Sequence, residues 1–298
     1  MPQIASANTS AHALRELSPA VRDAWQVISA AEDIEEGHER PTLLFGQPLR
    51  YLREGGDIRV WHAAMPGQLL PVLERYGFVW TSLGTPPAGL FEIPEFAEPD
   101  RFNICAGSIG VNVSAPRAIE NFLDMGHFPY VHTDILGAEP HTEVKEYDVE
   151  ISYERDEILA TRCRFFQPRA ALSASEGQEV EYIYRVPHPY CSVLYKSCPA
   201  EPERLDVIAI FAQPTGEETM RTHLMLSMID HENSLASMRR FQQTIFGQDK
   251  PILENQYPKR LPLDPRAETP IRADKSAIAY RRWLSQKGVN YGVIPQSA

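Results

Sequence analysis

EILATRCRFFQPRAALSASEGQEVEYIYRVPHPYCSVLYKSCPAEPERLDVIAIFAQPTGEETMRTHLMLSMI, residues 157–229, decides the fold. Five runs rich in β-branched and aromatic residues, at 157–166, 179–186, 191–197, 205–212 and 220–229, are joined by turn-like spacers. Upstream, NICAGSIGVNVSA at 103–115 and HTEVKEYDVEISY at 141–153 have the same character. Together they predict an antiparallel sheet of about seven strands. Two helical stretches interrupt or close the run, one from about Pro116 to His127 and one from about Asn233 into the 250s. Strands grouped in sequence, with helices outside the group, predict an α+β fold and not an alternating parallel one.

Outward from this sheet toward the N-terminus, TLLFGQPLRYLREGGDIRVWHA at 42–63 carries two β-prone runs around Glu54-Gly55-Gly56-Asp57 and reads as a hairpin. After the link Met65-Pro66-Gly67, the run Arg75 to Thr81 reads as one further strand. Residues 84–99 are rich in proline and turn residues, so a domain boundary is placed near residue 100: 1–99 and 100–298.

The whole chain sets limits on function. Its 298 residues with 43% apolar content supply a sizeable core, and no apolar run is long enough to span a bilayer. The opening residues lack the features of a signal peptide, so a soluble, cytoplasmic protein without membrane contact is expected. A formal net charge of −11, with no compensating basic cluster, argues against nucleic acid as a partner. Cys105, Cys163, Cys191 and Cys198 are too widely spaced for a zinc knot and read as reduced, buried thiols.

The chemistry is concentrated in two places. Asp124, His127 and His132 form a D-x2-H-x4-H pattern at the end of the first helical stretch, where Pro129 should stop the helix and let the chain bring His132 back toward His127. Two imidazoles leave an iron or zinc site incomplete, and a carboxylate from elsewhere would complete a three-ligand face. Asp249 is a candidate: Gln242, Ile245 and Phe246 precede it by seven, four and three residues on one helical face, the expected substrate-pocket wall. The spacing alone is a weak motif, and Asp249 reads equally well as a solvated charge beside Lys250.

The wording of these segments is more specific than their spacing. Glu120-Asn-Phe-Leu-Asp-Met-Gly-His-Phe-Pro-Tyr-Val-His132 and Phe246-Gly-Gln-Asp-Lys-Pro-Ile-Leu-Glu-Asn-Gln256 resemble the iron-binding segments of Rieske non-haem iron oxygenases, particularly their demethylase branch. Ala273 to Trp283 resembles that family's C-terminal segment, so the resemblance covers about residues 100–285. It implies a helix-grip (START-like) catalytic domain with one Fe(II) held by His127, His132 and Asp249. It also implies a catalytic role for Asp124 in connecting His127 to an electron-donating cluster.

The family's N-terminal domain normally binds a [2Fe–2S] cluster through C-x-H and C-x2-H pairs. Here no cysteine precedes Cys105, and His12, His38 and His62 have no thiolate partner. Residues 42–63 and 74–84 resemble the flanks of that domain with its cluster loops deleted, so 1–99 is expected to be a degenerate, mostly β, Rieske-like domain without a cluster. The resemblance then implies a monooxygenase using O2, a small heteroaromatic substrate and electrons from a separate Rieske-containing or ferredoxin-type reductase, in a homotrimer or a hetero-complex. Oxidative N-demethylation of the 7-methylxanthine type, giving xanthine and formaldehyde, is the expected reaction. The alternatives are a non-catalytic ligand-binding or stabilising subunit, an aromatic O-demethylase and a ring dihydroxylase.

Overall fold

The computed structural model describes residues 16–169 and 176–296. His12 and most of the opening segment read above for a signal peptide lie outside the described residues.

In chain order, a short turn of helix, α1 (Pro19–Arg22), leads into β1 (Gln26–Ala30). Then come β2 (Arg40–Leu44), β3 (Gln47–Glu54), β4 (Asp57–His62), β5 (Val72–Arg75) and β6 (Phe78–Thr81). They form two antiparallel three-stranded sheets, β2-β3-β4 and β1-β6-β5. The turn at Gly55-Gly56 joins β3 to β4, and Phe45-Gly46 makes a second hairpin that joins β2 to β3. The expected single strand at 75–81 is instead a hairpin. Tyr76 and Gly77 both take positive φ (57° and 78°), which gives the two-residue turn whose twist suits paired strands. The Tyr76 hydroxyl steadies this turn by donating to Phe91 O and accepting from Ile93 N.

The second half opens with β7 (Phe102–Val111), α2 (Ala115–Leu123) and the single turn α3 (Phe128–Val131). β8 (Asp148–Ser152), β9 (Glu157–Gln167), β10 (Gln178–His188), β11 (Cys191–Ser197), β12 (Leu205–Gly216) and β13 (Thr219–Met228) follow. All seven strands join one antiparallel sheet in the order β7-β13-β12-β11-β10-β9-β8, so the first strand closes against the last. The long helix α4 (Leu235–Asn255) crosses the sheet beside β7, and α5 (Lys275–Gln286) packs on β8 and β9. A short parallel pair, β14 (Leu261–Pro262) and β15 (Val293–Ile294), ties off the C-terminus. Among the described residues no helix is long and apolar enough to cross a membrane.

Both faces of the central strands are covered, which is why they read as nearly continuous apolar runs. Alternate residues Cys191, Val193, Val207, Ala209, Phe211 and Met225 pack outward on Trp25, Val27, Phe78 and Trp80 of the N-terminal half. The intervening Leu194, Ile208, Leu224 and Leu226 face α4 across a cavity. Residues before and after position 100 therefore share their cores, and Phe45 also lies against Tyr190 and Tyr291 at ring separations of 5.8 and 5.0 Å.

Candidate metal centre

The first helical stretch ends earlier than its sequence suggests. α2 stops at Leu123, and Asp124 is extended (φ −87°, ψ 126°), with its carboxylate accepting from the backbone N–H groups of Gly126 and His127. This side-chain turn competes with the helix and replaces it. Pro129 does not end a helix; it occupies the first turn of α3, where its missing N–H has no intrahelical role. His127 and His132 thus flank α3 as its two caps, and one short turn brings both rings to the same point. Asp249 lies inside α4, which runs on through Pro251 to Asn255. Met238, Gln242, Phe246, Asp249 and Leu253 form the buried stripe of that helix.

Three donor atoms converge. His127 Nε2 and His132 Nε2 are 3.2 Å apart, and Asp249 Oδ1 is 3.3 Å from the first and 3.1 Å from the second. Three ligands held at about 2.1 Å from one cation and at right angles to each other would stand about 3.0 Å apart, whereas a tetrahedral set would stand about 3.4 Å apart. The near-equilateral spacing fits one face of a metal's coordination sphere.

The other ring nitrogens are occupied. His127 Nδ1 donates to Asp124 Oδ2 at 2.9 Å, and His132 Nδ1 donates to Gln248 Oε1 at 2.9 Å. Both imidazoles are therefore set to present the Nε2 lone pair to the shared point, which is how outer partners fix the tautomer of a metal-binding histidine. Asn121 Nδ2 donates to Asp249 Oδ1 at 3.1 Å and holds that carboxylate in place. Sequence periodicity could not find Gln248, because one residue before Asp249 is a different helical face. Asn121 was within reach, three residues before Asp124 on an amphipathic segment.

The cluster attracts a cation. Burial disfavours the His127 imidazolium, but Asp124 and Asp249 outweigh it and hold the pKa up to about 9. Burial opposes ionisation of Asp249, yet His127 and His132 hold it down to about 2. Asp124 is likewise lowered, against its burial, by His127. Without a metal this place carries a proton between two carboxylates; a divalent cation can replace that proton and satisfy both Nε2 atoms.

The donor atoms open into a cavity of about 600 Å³ between the sheet and α4, large enough for a small heteroaromatic molecule. Gln242, Ile245 and Phe246 lie on its helical wall as their spacing from Asp249 suggests, with Phe241 beside them. Gln242 is 8% exposed and its amide has no hydrogen-bond partner among the described residues. Asp124 sits on the other side of the centre, with its side chain 35% exposed, near a smaller surface hollow lined by Glu120, Glu268 and Asp274.

Comparisons with known proteins agree on where this chain belongs. Residues 111–288 match the family described as the vanillate O-demethylase oxygenase C-terminal domain. A protein of Pseudomonas sp. (strain TJI-51), named probable methylxanthine N7-demethylase NdmC, is 46% identical over 91% of this chain and 96% of its own length. The methylxanthine N1-demethylase NdmA of Pseudomonas putida is 26% identical over 72% of this chain and 59% of its own length. The solved structure of Pseudomonas putida CBB5 NdmA superposes with a TM-score of 0.71 at 19% identity, covering 90% of this chain and 91% of that one.

Proposed function

Because the chain belongs to the vanillate O-demethylase oxygenase family of Rieske-type oxygenases, we propose that it removes the N7-methyl group of a methylxanthine, with Fe(II) held by His127, His132 and Asp249. The observation that carries this reading is the convergence of two tautomer-fixed Nε2 atoms and one carboxylate oxygen at the wall of a mostly apolar cavity. Ferrous iron bound there would supply oxygen activation.

The chain's own residues do the rest. Asp124 and Gln248 hold the imidazoles in one tautomer, and Asn121 holds Asp249. Phe128, Phe246, Leu194, Ile208 and Leu226 exclude water and receive a flat ring, and the Gln242 amide is free to hydrogen-bond a polar edge. With O2, two electrons and two protons, the methyl carbon gains a hydroxyl and the second oxygen atom leaves as water. The resulting N–CH2OH group collapses to a ring N–H and formaldehyde.

We further propose that residues 1–99 are a degenerate Rieske-like domain and that the electrons come from a separate Rieske-containing reductase approaching Asp124. No cysteine precedes Cys105, so this half offers no thiolate to a cluster. Apart from Asp206, which faces Lys196, the cavity lining carries Glu176, Asp230 and Glu232, and this acidic excess disfavours the carboxylated aromatics that an O-demethylase of aromatic acids would accept.

The test is turnover of 7-methylxanthine by iron-loaded protein with such a reductase. Equal amounts of formaldehyde and xanthine are expected, and His127→Ala, His132→Ala or Asp249→Ala should abolish both along with iron binding. No formaldehyde from an iron-loaded, reductase-supplied protein would refute the assignment.

A further inference from the structure

The cavity floor is not uniform. Antiparallel register places Tyr184, Leu194, Ile208 and Leu226 side by side across β10 to β13, a row that is apolar except for its phenol. One register step away, Tyr182, Lys196 and Asp206 form a second row across β10 to β12, and all three line the same cavity. Lys196 is 7% exposed and Asp206 3%. The two face each other directly across paired strands, about 5 Å apart between Cβ atoms, close enough for each charge to influence the other. Asp206 Oδ1 also accepts from the N–H of Ile229, which fixes the carboxylate.

A buried charge pair is weak support for a fold. Replacing both partners by apolar side chains of similar size is commonly neutral or stabilising, because desolvation offsets the attraction. Nothing in the Asp249 centre uses this pair, and apart from Tyr182 and Tyr184 the surrounding floor is Leu, Ile and Met, which would close it as well. Its position suggests a ligand. An ammonium has three donors and a carboxylate about four acceptor sites, of which the Ile229 N–H fills one.

Resting on the proposed reading of the cavity, we propose that Lys196 and Asp206 are specificity-determining residues that recognise a ring edge bearing a carbonyl oxygen next to an N–H. Lys196 donates to the carbonyl, Asp206 accepts from the N–H, and the apolar row beneath receives the ring face. Cyclic imides and ureides present this edge; plain arenes and aromatic carboxylates do not. A site built to pair such groups rejects analogues lacking them far better than an apolar slot does, because its own polar groups would be left unpaired.

The experiment compares binding of xanthine and of purine, the same bicycle without carbonyls, to the full iron-loaded chain by anaerobic calorimetry without a reductase. Wild type should prefer xanthine. The Lys196→Met/Asp206→Leu double variant keeps the volume and removes both charges. It should retain iron and melting temperature while the preference falls by about ten- to a hundredfold. Lys196→Arg should restore part of the preference when Asp206 is present. An unchanged preference in the double variant would overturn this proposal and leave the demethylase reading intact. Failure of wild type to bind xanthine and 7-methylxanthine at all would remove that reading and this one with it. Loss of folding in the double variant would show the pair to be structural and would also refute the proposal.

Discussion

The smallest informative unit in this protein is a single side chain one step removed from the metal position. Gln248 touches no proposed ligand atom, yet its Oε1 accepts the hydrogen bond of the His132 Nδ1–H and so decides which nitrogen faces Asp249. Gln248→Met keeps the length of the side chain and removes the acceptor. Iron affinity, measured by anaerobic equilibrium dialysis, should fall by about 10- to 100-fold, the usual effect of losing an outer partner of a metal-binding histidine. Unchanged affinity would show that packing alone orients the ring. Residue identity is also where the sequence is most legible: the wording of two segments singles out Asp124, His127, His132 and Asp249, and the structure brings these four side chains together. Gln248 was not, because its role depends on α4 lying beside α3, a tertiary fact with no periodic signature.

At the level of elements, the site depends on a break in helix α2 and a one-turn helix α3, and both are secured from outside. Gly137 packs so closely on this turn that a Cβ there would meet the backbone of Phe128 and Pro129 at 2.9 and 2.7 Å, and backbone cannot give way as a flexible side chain can. Gly137→Ala should therefore displace α3, carry His127 and His132 out of register with Asp249, and lower iron occupancy although no ligand is altered. Metal analysis of the purified variant checks this, and full occupancy would mean that the turn adapts. The seven strands of the large sheet were readable from their composition, as was the long helix. The boundaries around the site were not. Pro129 looked like a helix stop and is a helix start, and Asp124 looked like the last turn of a helix and is the residue that ends it. In the N-terminal half, Tyr76-Gly77 read as the middle of a strand because a tyrosine with positive φ is rare, and only its hydroxyl contacts explain it.

For the molecule as a whole, two buried histidines contribute strongly to the response to acid. His223 accepts from Ser108 at Nδ1 and donates to Gln213 at Nε2, while Gln213 donates in turn to Thr42 Oγ1 and Leu43 O, so a neutral imidazole joins the large sheet to β2. Burial lowers the pKa of His223 and of His188 to about 3. Below the ordinary value near 6.5 the unfolded chain takes up protons that the folded chain refuses, so stability declines as pH falls from about 6.5 toward 3. In metal-free protein the His127 contribution has the opposite sign: its raised pKa stabilises fully below 6.5 and is lost as pH rises through about 9. The Asp249 contribution is intact above 3.8 and fades only toward 2. Melting temperatures of metal-free protein should therefore drop between pH 6.5 and 4.5, with His62, lowered by burial, adding to the fall and Glu120 and Asp206, raised by burial, opposing it; a fall no smaller in a His188→Phe, His223→Gln double variant would show that these two histidines do not set the acid response. The two-sided burial of β11, β12 and β13 carries a further consequence for handling the protein. Cys191, Val193, Phe211 and Met225 are kept from water by the N-terminal half, Trp25, Val27, Phe78 and Trp80 foremost, so the half that holds the metal position should not be soluble when expressed by itself: its outer sheet would be adhesive, and the N-terminal layer, though it offers no thiolate to a cluster, serves as the coat that keeps the other half from aggregating.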